Sequence, residues 1–306
     1  MKKMILTGML MLLVGIIPGC RQSNSVKSLN TVSRELKEKA EAEHTEHTAN
    51  GAEQKPGEAA ETQNVHEQAP QSEVDAFGLY HLERPAALAD RDEQLLERKG
   101  YAASYNKKLR LPNWVAWELT ADHVTGPYKR SGIKYQEDTE VPRPRATHQD
   151  YYSSGYDRGH MCPSGDNKWD MQAQQQSFLL TNMCPQAHSL NAGDWNELEM
   201  KCRTWARRYG SLYIVCGPIL YRRQHKTIGR NKVTVPEAFF KVVLRMEPQP
   251  CAIGFVYKND DGNRPMGDYI NSVDQVERIT GIDFFPSLPD ELEERIEAEA
   301  SLDEWR

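Results

Sequence analysis

The 306-residue sequence has no C-x-x-C pair, no internal repeat, no regular βαβ rhythm and no net positive charge. Lacking C-x-x-C spacing, it offers neither a zinc knuckle nor a thioredoxin-type redox centre. Lacking a βαβ rhythm, it points to an α+β domain rather than a doubly wound parallel sheet. Hydrophobic residues make up only 39% of the chain, which excludes a bundle of membrane spans. The formal charge of −6 argues, at face value, against a nucleic-acid binder.

That charge is unevenly placed. Residues 1–20 carry +2, residues 21–76 carry −5, residues 77–283 carry +3 and residues 284–306 carry −6. The acidity belongs to the ends, and the middle is mildly basic.

Met1-Lys2-Lys3 followed by the apolar run Met4–Ile17 has the form of a signal peptide, too short for a span of roughly 20 residues. The run ends in Ile17-Pro18-Gly19-Cys20, which resembles a bacterial lipoprotein box with Cys20 as the acylated residue. Residues 1–20 are therefore expected to be a signal peptide of lipoprotein type, with an ordinary cleaved signal or a short uncleaved anchor as alternatives; each sends residues 21–306 out of the cytoplasm, to the periplasm or cell exterior. Residues 21–76 hold almost no large apolar side chains and cannot offset their ordering entropy, so an acidic, disordered linker is expected. His44, His47 and His66 are too widely spaced there to suggest a metal tract.

A catalytic domain is expected over 77–298, with 299–306 as a C-terminal tail. Pro112–Leu119 reads as a strand, and Gln176–Asn182, Leu212–Cys216, Ala238–Met246 and Ala252–Tyr257 are apolar runs of strand length. Trp195, Leu198, Cys202 and Trp205 recur at helical spacing within 191–209. Ser272-x-x-Gln275 is a capping box that opens a second helix. Five cysteines follow Cys20: Cys162, Cys184, Cys202, Cys216 and Cys251. In an oxidising compartment they imply one or two disulfides, with the pairing open.

The densest cluster of chemically capable residues starts at Asp157-Arg158-Gly159-His160 and continues through Thr181-Asn182-Met183 to the 191–199 stretch. In an extended segment Arg158 and His160 share one face, suiting phosphate binding and proton transfer. Asn191 stands at the expected start of the 191–209 helix, and Glu199 lies about 80° around it. Each residue alone is equally well explained as a satisfied histidine, a cap or a surface carboxylate. Arg203, Arg207, Arg208, Arg222, Arg223, Lys226 and Arg230 follow with no acidic residue between Arg203 and Arg230, a pattern fit for tracking phosphates.

In combination, Asp157-Arg158-Gly159-His160, Thr181-Asn182-Met183-x-Pro185-Gln186 and Asn191-x-x-x-Trp195-x-x-Leu198-Glu199 resemble the DNA/RNA non-specific endonuclease family. The resemblance covers about residues 78–298. It implies a central antiparallel sheet with flanking helices and a ββα-metal (His-Me finger) site. It further implies Mg²⁺-dependent hydrolysis of DNA and RNA to 5′-phosphate ends, with Mn²⁺ as a substitute ion. His160 would be the general base and Asn191 the metal ligand. Glu199 would orient water beside the metal, Asn182 would position the histidine region, and Arg158 and Arg130 would clamp the phosphate. Asp157 would be structural. An unperturbed histidine, near pKa 6.5, would suit the base at neutral pH.

Overall fold

The computed structural model describes residues 81–260 and 262–306; the export signal, Cys20 and the linker with its histidines lie outside them. In chain order the strands are β1 (Gln94–Glu97), β2 (Ala102–Asn106), β3 (Leu111–Thr120), β4 (Asp157–His160), β5 (Met183–Gln186) and β6 (Ser211–Ile219). They continue with β7 (Thr227–Ile228), β8 (Val233–Thr234), β9 (Ala238–Arg245), β10 (Cys251–Lys258) and β11 (Ile270–Asn271). The α-helices are α1 (His148–Tyr151), α2 (Met171–Gln176), α3 (His188–Ala192), α4 (Asp194–Tyr209), α5 (Val273–Thr280) and α6 (Asp290–Glu297).

Seven strands form one antiparallel sheet in the order β1-β2-β3-β6-β9-β10-β11. Its central strands are apolar on both faces because both are covered, so they read as continuous runs rather than alternations. One face presents Val115, Trp117, Ile214, Cys216, Phe239 and Val243 to the α4 residues Trp195, Leu198, Cys202 and Trp205. The other presents Trp114, Ala116, Val215, Phe240 and Val242 to Val273 and Val276 of α5 and Ile296 of α6. Each large side chain buried this way contributes about 1.5–3 kcal/mol. The α+β class and the antiparallel sheet agree with expectation.

Helix α5 opens on the expected box: Ser272 Oγ accepts from the Gln275 amide, and Gln275 Oε1 accepts from the Ser272 amide. Gly281, at φ 67°, closes it in the left-handed region. The apolar run Gln176–Asn182 is not a strand. It leaves α2, makes one parallel bridge between Leu179 and Gln136, and ends in a 3₁₀ turn at Leu180–Asn182. The last eight residues, set apart in the sequence as a tail, pack onto the domain. Trp305 is buried with its ring 4.7 Å from that of Trp205, whose Nε1 donates to the Trp305 carbonyl at 2.8 Å. Cys162, Cys184, Cys202, Cys216 and Cys251 are all free and buried, so the expected disulfides are absent among the described residues. A core of this size supplies cohesion without cross-links.

Candidate active site

Strands β4 and β5 pair outside the main sheet, with Asp157 opposite Gln186 and His160 opposite Met183, and the chain then runs into α3 and α4. Gly159 is required by that pairing: a Cβ there would lie 2.2 Å from Gln186 Oε1 and 2.7 Å from Gln186 Cβ. We predict that Gly159→Ala destabilises the domain by about 1–3 kcal/mol through overpacking. Chemical denaturation measures this, and an unchanged midpoint would contradict it.

Asn191 and Glu199 do not share a helix. Gly193 interrupts the turn between α3 and α4, where a Cβ would meet the Ser189 carbonyl oxygen at 2.5 Å. The expected 80° relation along one ideal helix therefore fails. Trp195, in the first turn of α4, donates from Nε1 to the His160 carbonyl at 3.3 Å and ties the helix to the end of β4.

His160 is walled by aromatic rings. Phe178 meets it edge-on at 5.1 Å and Tyr135 lies at 5.8 Å. Its Nε2 is buried without a hydrogen-bond partner among the described residues. Burial first, and the Arg130 charge second, lower its pKa to about 3. The unperturbed value expected from sequence is thus corrected: the imidazole is neutral, and able to accept a proton, throughout the physiological range.

This shift has a consequence for stability. The unfolded chain protonates His160 near 6.5 and the folded chain near 3, so unfolding takes up a proton in between. Stability from this residue is complete above pH 6.5 and declines as pH falls toward 3. Allowing for partial exposure, wild type should lose about 1–2 kcal/mol more than His160→Gln between pH 7 and 5, in EDTA. Parallel denaturation profiles for the two proteins would refute the shift.

Asp157 binds two groups through one oxygen. Its Oδ2 accepts from Asn191 Nδ2 at 2.9 Å and lies 2.8 Å from His188 Nδ1. With Nδ2 engaged, Asn191 leaves its Oδ1 free of hydrogen bonds among the described residues. An amide oxygen is a ligand for a hard cation, whereas an amide nitrogen is not. The donor chemistry therefore fits one protein ligand of an ion that keeps most of its water, and Asp157 is the residue that orients it.

Arg158 lies on the His160 face of β4, as the spacing predicted. Its guanidinium sits 5.3 Å from the rings of both Tyr135 and Tyr151, and Nη2 donates to the His148 carbonyl at 3.1 Å. Arg130 is exposed and stands 5.6 Å over Phe178, from where its charge acts on both His160 and Glu199. Asn182 is fully buried. Its Oδ1 accepts from the Cys162 amide at 2.9 Å, and Nδ2 donates to the Cys162 and Ser177 carbonyls. It fixes the turn after His160 and presents no free donor to a ligand.

Glu199 lies over a buried ionic cluster. Burial raises its pKa to about 7; Lys241 opposes the rise, Asp166 adds to it, and Arg203 and Arg130 oppose it. Arg203 pairs with Asp166 at 2.8 Å and approaches Glu199 at 3.9 Å. It is thereby removed from the row of phosphate-tracking cations expected from sequence, while Arg207, Arg222, Arg223 and Arg230 stay exposed. Lys241 is 1% exposed, with Nζ 4.2 Å from the Trp195 ring and 5.7 Å from Trp117.

Sequence reasoning missed Tyr135, Phe178 and Lys241, and read Asp157 as structural without naming what it holds. Only Asp157 had a usable signal, its place at the head of the four-residue motif. Tyr135 and Phe178 arrive from irregular segments, and Lys241 looks like a misplaced charge inside an apolar strand.

A strand pair leading into helices, with histidine on the first strand and asparagine on the helix that follows the second, is the ββα-metal arrangement of phosphodiester hydrolases. Residues 81–291 match the model of the DNA/RNA non-specific endonuclease family, and the chain belongs to it. It is thus a nucleic-acid-hydrolysing enzyme. It is 33% identical over 246 residues to "Nuclease EXOG, mitochondrial" of Xenopus laevis, covering 70% of this chain and 69% of that one. With the Danio rerio protein of the same name the identity is 35% over 208 residues, covering 61% of this chain and 60% of that one. A solved chain from the EndoG/EndoGI complex superposes with a TM-score of 0.62 at 28% identity, covering 64% of this chain and 87% of that one.

Proposed function

We propose that this enzyme is a Mg²⁺-dependent endonuclease that cuts DNA and RNA without sequence preference, leaving 5′-phosphate and 3′-hydroxyl ends. The observation that carries this reading is the Asp157–Asn191 hydrogen bond of 2.9 Å, which leaves the Asn191 amide oxygen without a hydrogen bond among the described residues, on the helix that follows the strand pair bearing His160.

In this reading His160 takes the proton of the attacking water at Nδ1, the ring nitrogen that is not shut away. Trp195 and Asn182 hold its backbone, and Tyr135 and Phe178 fix the ring plane. Arg158 and Arg130 bind the phosphate oxygens and oppose the charge that grows there. Glu199 orients water. Asn191 Oδ1 would hold Mg²⁺, with Mn²⁺ as a substitute, and the bound ion would supply charge stabilisation at phosphorus and at the leaving oxygen. Phosphate contacts carry no base information, which accounts for cleavage of any sequence. The exposed arginines extend that contact, so substrate affinity should fall steeply with salt.

We further place the enzyme outside the cytoplasm, anchored through a lipid on Cys20. Palmitate labelling that survives Cys20→Ser would overturn the anchor.

The reading is tested by incubating the purified chain with plasmid DNA and with single-stranded RNA, in Mg²⁺ and in EDTA. Cleavage of both, only with the ion, and fragments that a ligase joins without phosphorylation are expected. Cleavage in EDTA, or ends bearing 3′-phosphate, would overturn it.

A further inference from the structure

The face of the sheet opposite His160 is covered by α5 and α6, and those helices bring three carboxylates together. Asp274 and Glu277 on α5 and Glu297 at the end of α6 each offer an oxygen, and these oxygens lie within 4.8 Å of one another. A surface cluster of acids needs no explanation, since water separates such charges. Glu297 is different: it is 4% exposed, and its Oε1 is buried without a hydrogen-bond partner among the described residues. A buried carboxylate with no donor carries a large desolvation penalty. The neighbouring cation does not relieve it, because Arg278 Nη1 is directed at Asp274 Oδ2, at 3.7 Å. Glu277 is held by a fixed contact: its Oε1 accepts from the Phe284 amide at 2.7 Å.

We propose that Asp274, Glu277 and Glu297 form a binding site for a hard divalent cation of the Ca²⁺ class. The three carboxylates offer one oxygen each, and the partial exposure of Asp274 and Glu277 leaves room for water to complete a shell of six to eight. Nitrogen and sulfur donors are missing from the cluster, which disfavours zinc. The cation would clamp α5 to α6 and so fasten the helical layer that covers this face of the sheet. It would be structural and separate from the ion at Asn191, which lies on the opposite side of the sheet. Exported as proposed above, the enzyme would meet Ca²⁺ at concentrations that fill sites of about 10⁻⁴–10⁻³ M affinity.

The test uses the full chain carrying Asn191→Ala, so that the catalytic ion does not contribute. Calorimetric titration with CaCl₂ is expected to show one remaining site, and 5 mM CaCl₂ to raise Tm by about 3 °C. Adding Glu297→Gln should abolish both signals. If that variant folds poorly, Asp274→Asn in its place should weaken Ca²⁺ binding at least tenfold. Nuclease activity in Mg²⁺ should be unchanged by Glu297→Gln in the otherwise wild-type chain. Absence of Ca²⁺ binding to the Asn191→Ala chain, or Ca²⁺ binding that survives both carboxylate substitutions, would overturn the proposal.

Discussion

His160→Ala is expected to lower kcat for plasmid DNA about 10³-fold at pH 7.5 in saturating Mg²⁺, while KM changes less than about threefold. A positioned general base contributes about 10²–10⁴-fold, and alanine leaves no acceptor in its place. In the proposed mechanism substrate contacts rest on Arg158 and Arg130, whose positions depend on Tyr135, Tyr151, Phe178 and the His148 carbonyl rather than on the imidazole. Hence kcat should fall and KM should not. Added imidazole should restore part of the rate, because the lost ring leaves space between Tyr135 and Phe178. The wild-type pH profile carries a related expectation. With a pKa near 3, protonation of His160 should not limit the rate between pH 5 and 8. Near-wild-type turnover of the alanine variant, with its fold confirmed by an unchanged circular dichroism spectrum, would remove His160 from the chemistry.

The large elements were legible in the sequence because burial on both faces of a sheet leaves a plain apolar signature. Pro112–Leu119, Leu212–Cys216 and Ala252–Tyr257 fall within strands of the main sheet, and Ala238–Met246 overruns its strand by one residue. The run Gln176–Asn182 carries the same signature for another reason: Phe178 packs on His160, and Asn182 is consumed by backbone bonds to Cys162 and Ser177. Periodicity cannot separate these cases, because both bury apolar side chains over a short stretch. Strands β4 and β5 escaped notice for the opposite reason, since Asp157-Arg158-Gly159-His160 has no strand-like composition and is held by its pairing partner. The motif identified the chemistry, but the electrostatics were invisible. The depressed pKa of His160 depends on burial and on Arg130, thirty positions away in the chain.

Lys241 illustrates the same limit. In sequence it interrupts Phe239-Phe240-Lys241-Val242-Val243 and looks like an error in an apolar strand. In the fold it lies on the α4 side of the sheet, against Trp195 and Trp117, and its charge lowers the pKa of Glu199 and of Asp166. A cation buried under two tryptophans is offset by cation–π attraction and by carboxylates that themselves lack water. The cluster therefore joins the packing of the core to the ionisation of Glu199.

Asn191→Ala should abolish cleavage at Mg²⁺ concentrations that saturate wild type, a loss of about 10³-fold or more, because the proposed ion has one protein ligand. Asp157 separates orientation from ligation. Its Oδ2 holds Asn191 Nδ2 at 2.9 Å, so Asp157→Ala frees the amide to rotate and present nitrogen to the ion half the time. Loss of a group that orients a metal ligand typically costs about 10–100-fold in metal affinity. Asp157→Ala should accordingly raise the Mg²⁺ concentration for half-maximal activity by that factor, and high Mg²⁺ should recover most of kcat. Asp157→Asn keeps an oxygen that can accept from Asn191 while removing the negative charge. If orientation is the function of Asp157, the asparagine variant falls closer to wild type than alanine does; if its charge attracts the ion, both variants fail alike. Magnesium titrations of the three proteins decide between these outcomes. A half-maximal concentration unmoved in Asp157→Ala, or an Asn191→Ala enzyme with an ordinary Mg²⁺ requirement, would show that the ion is held elsewhere.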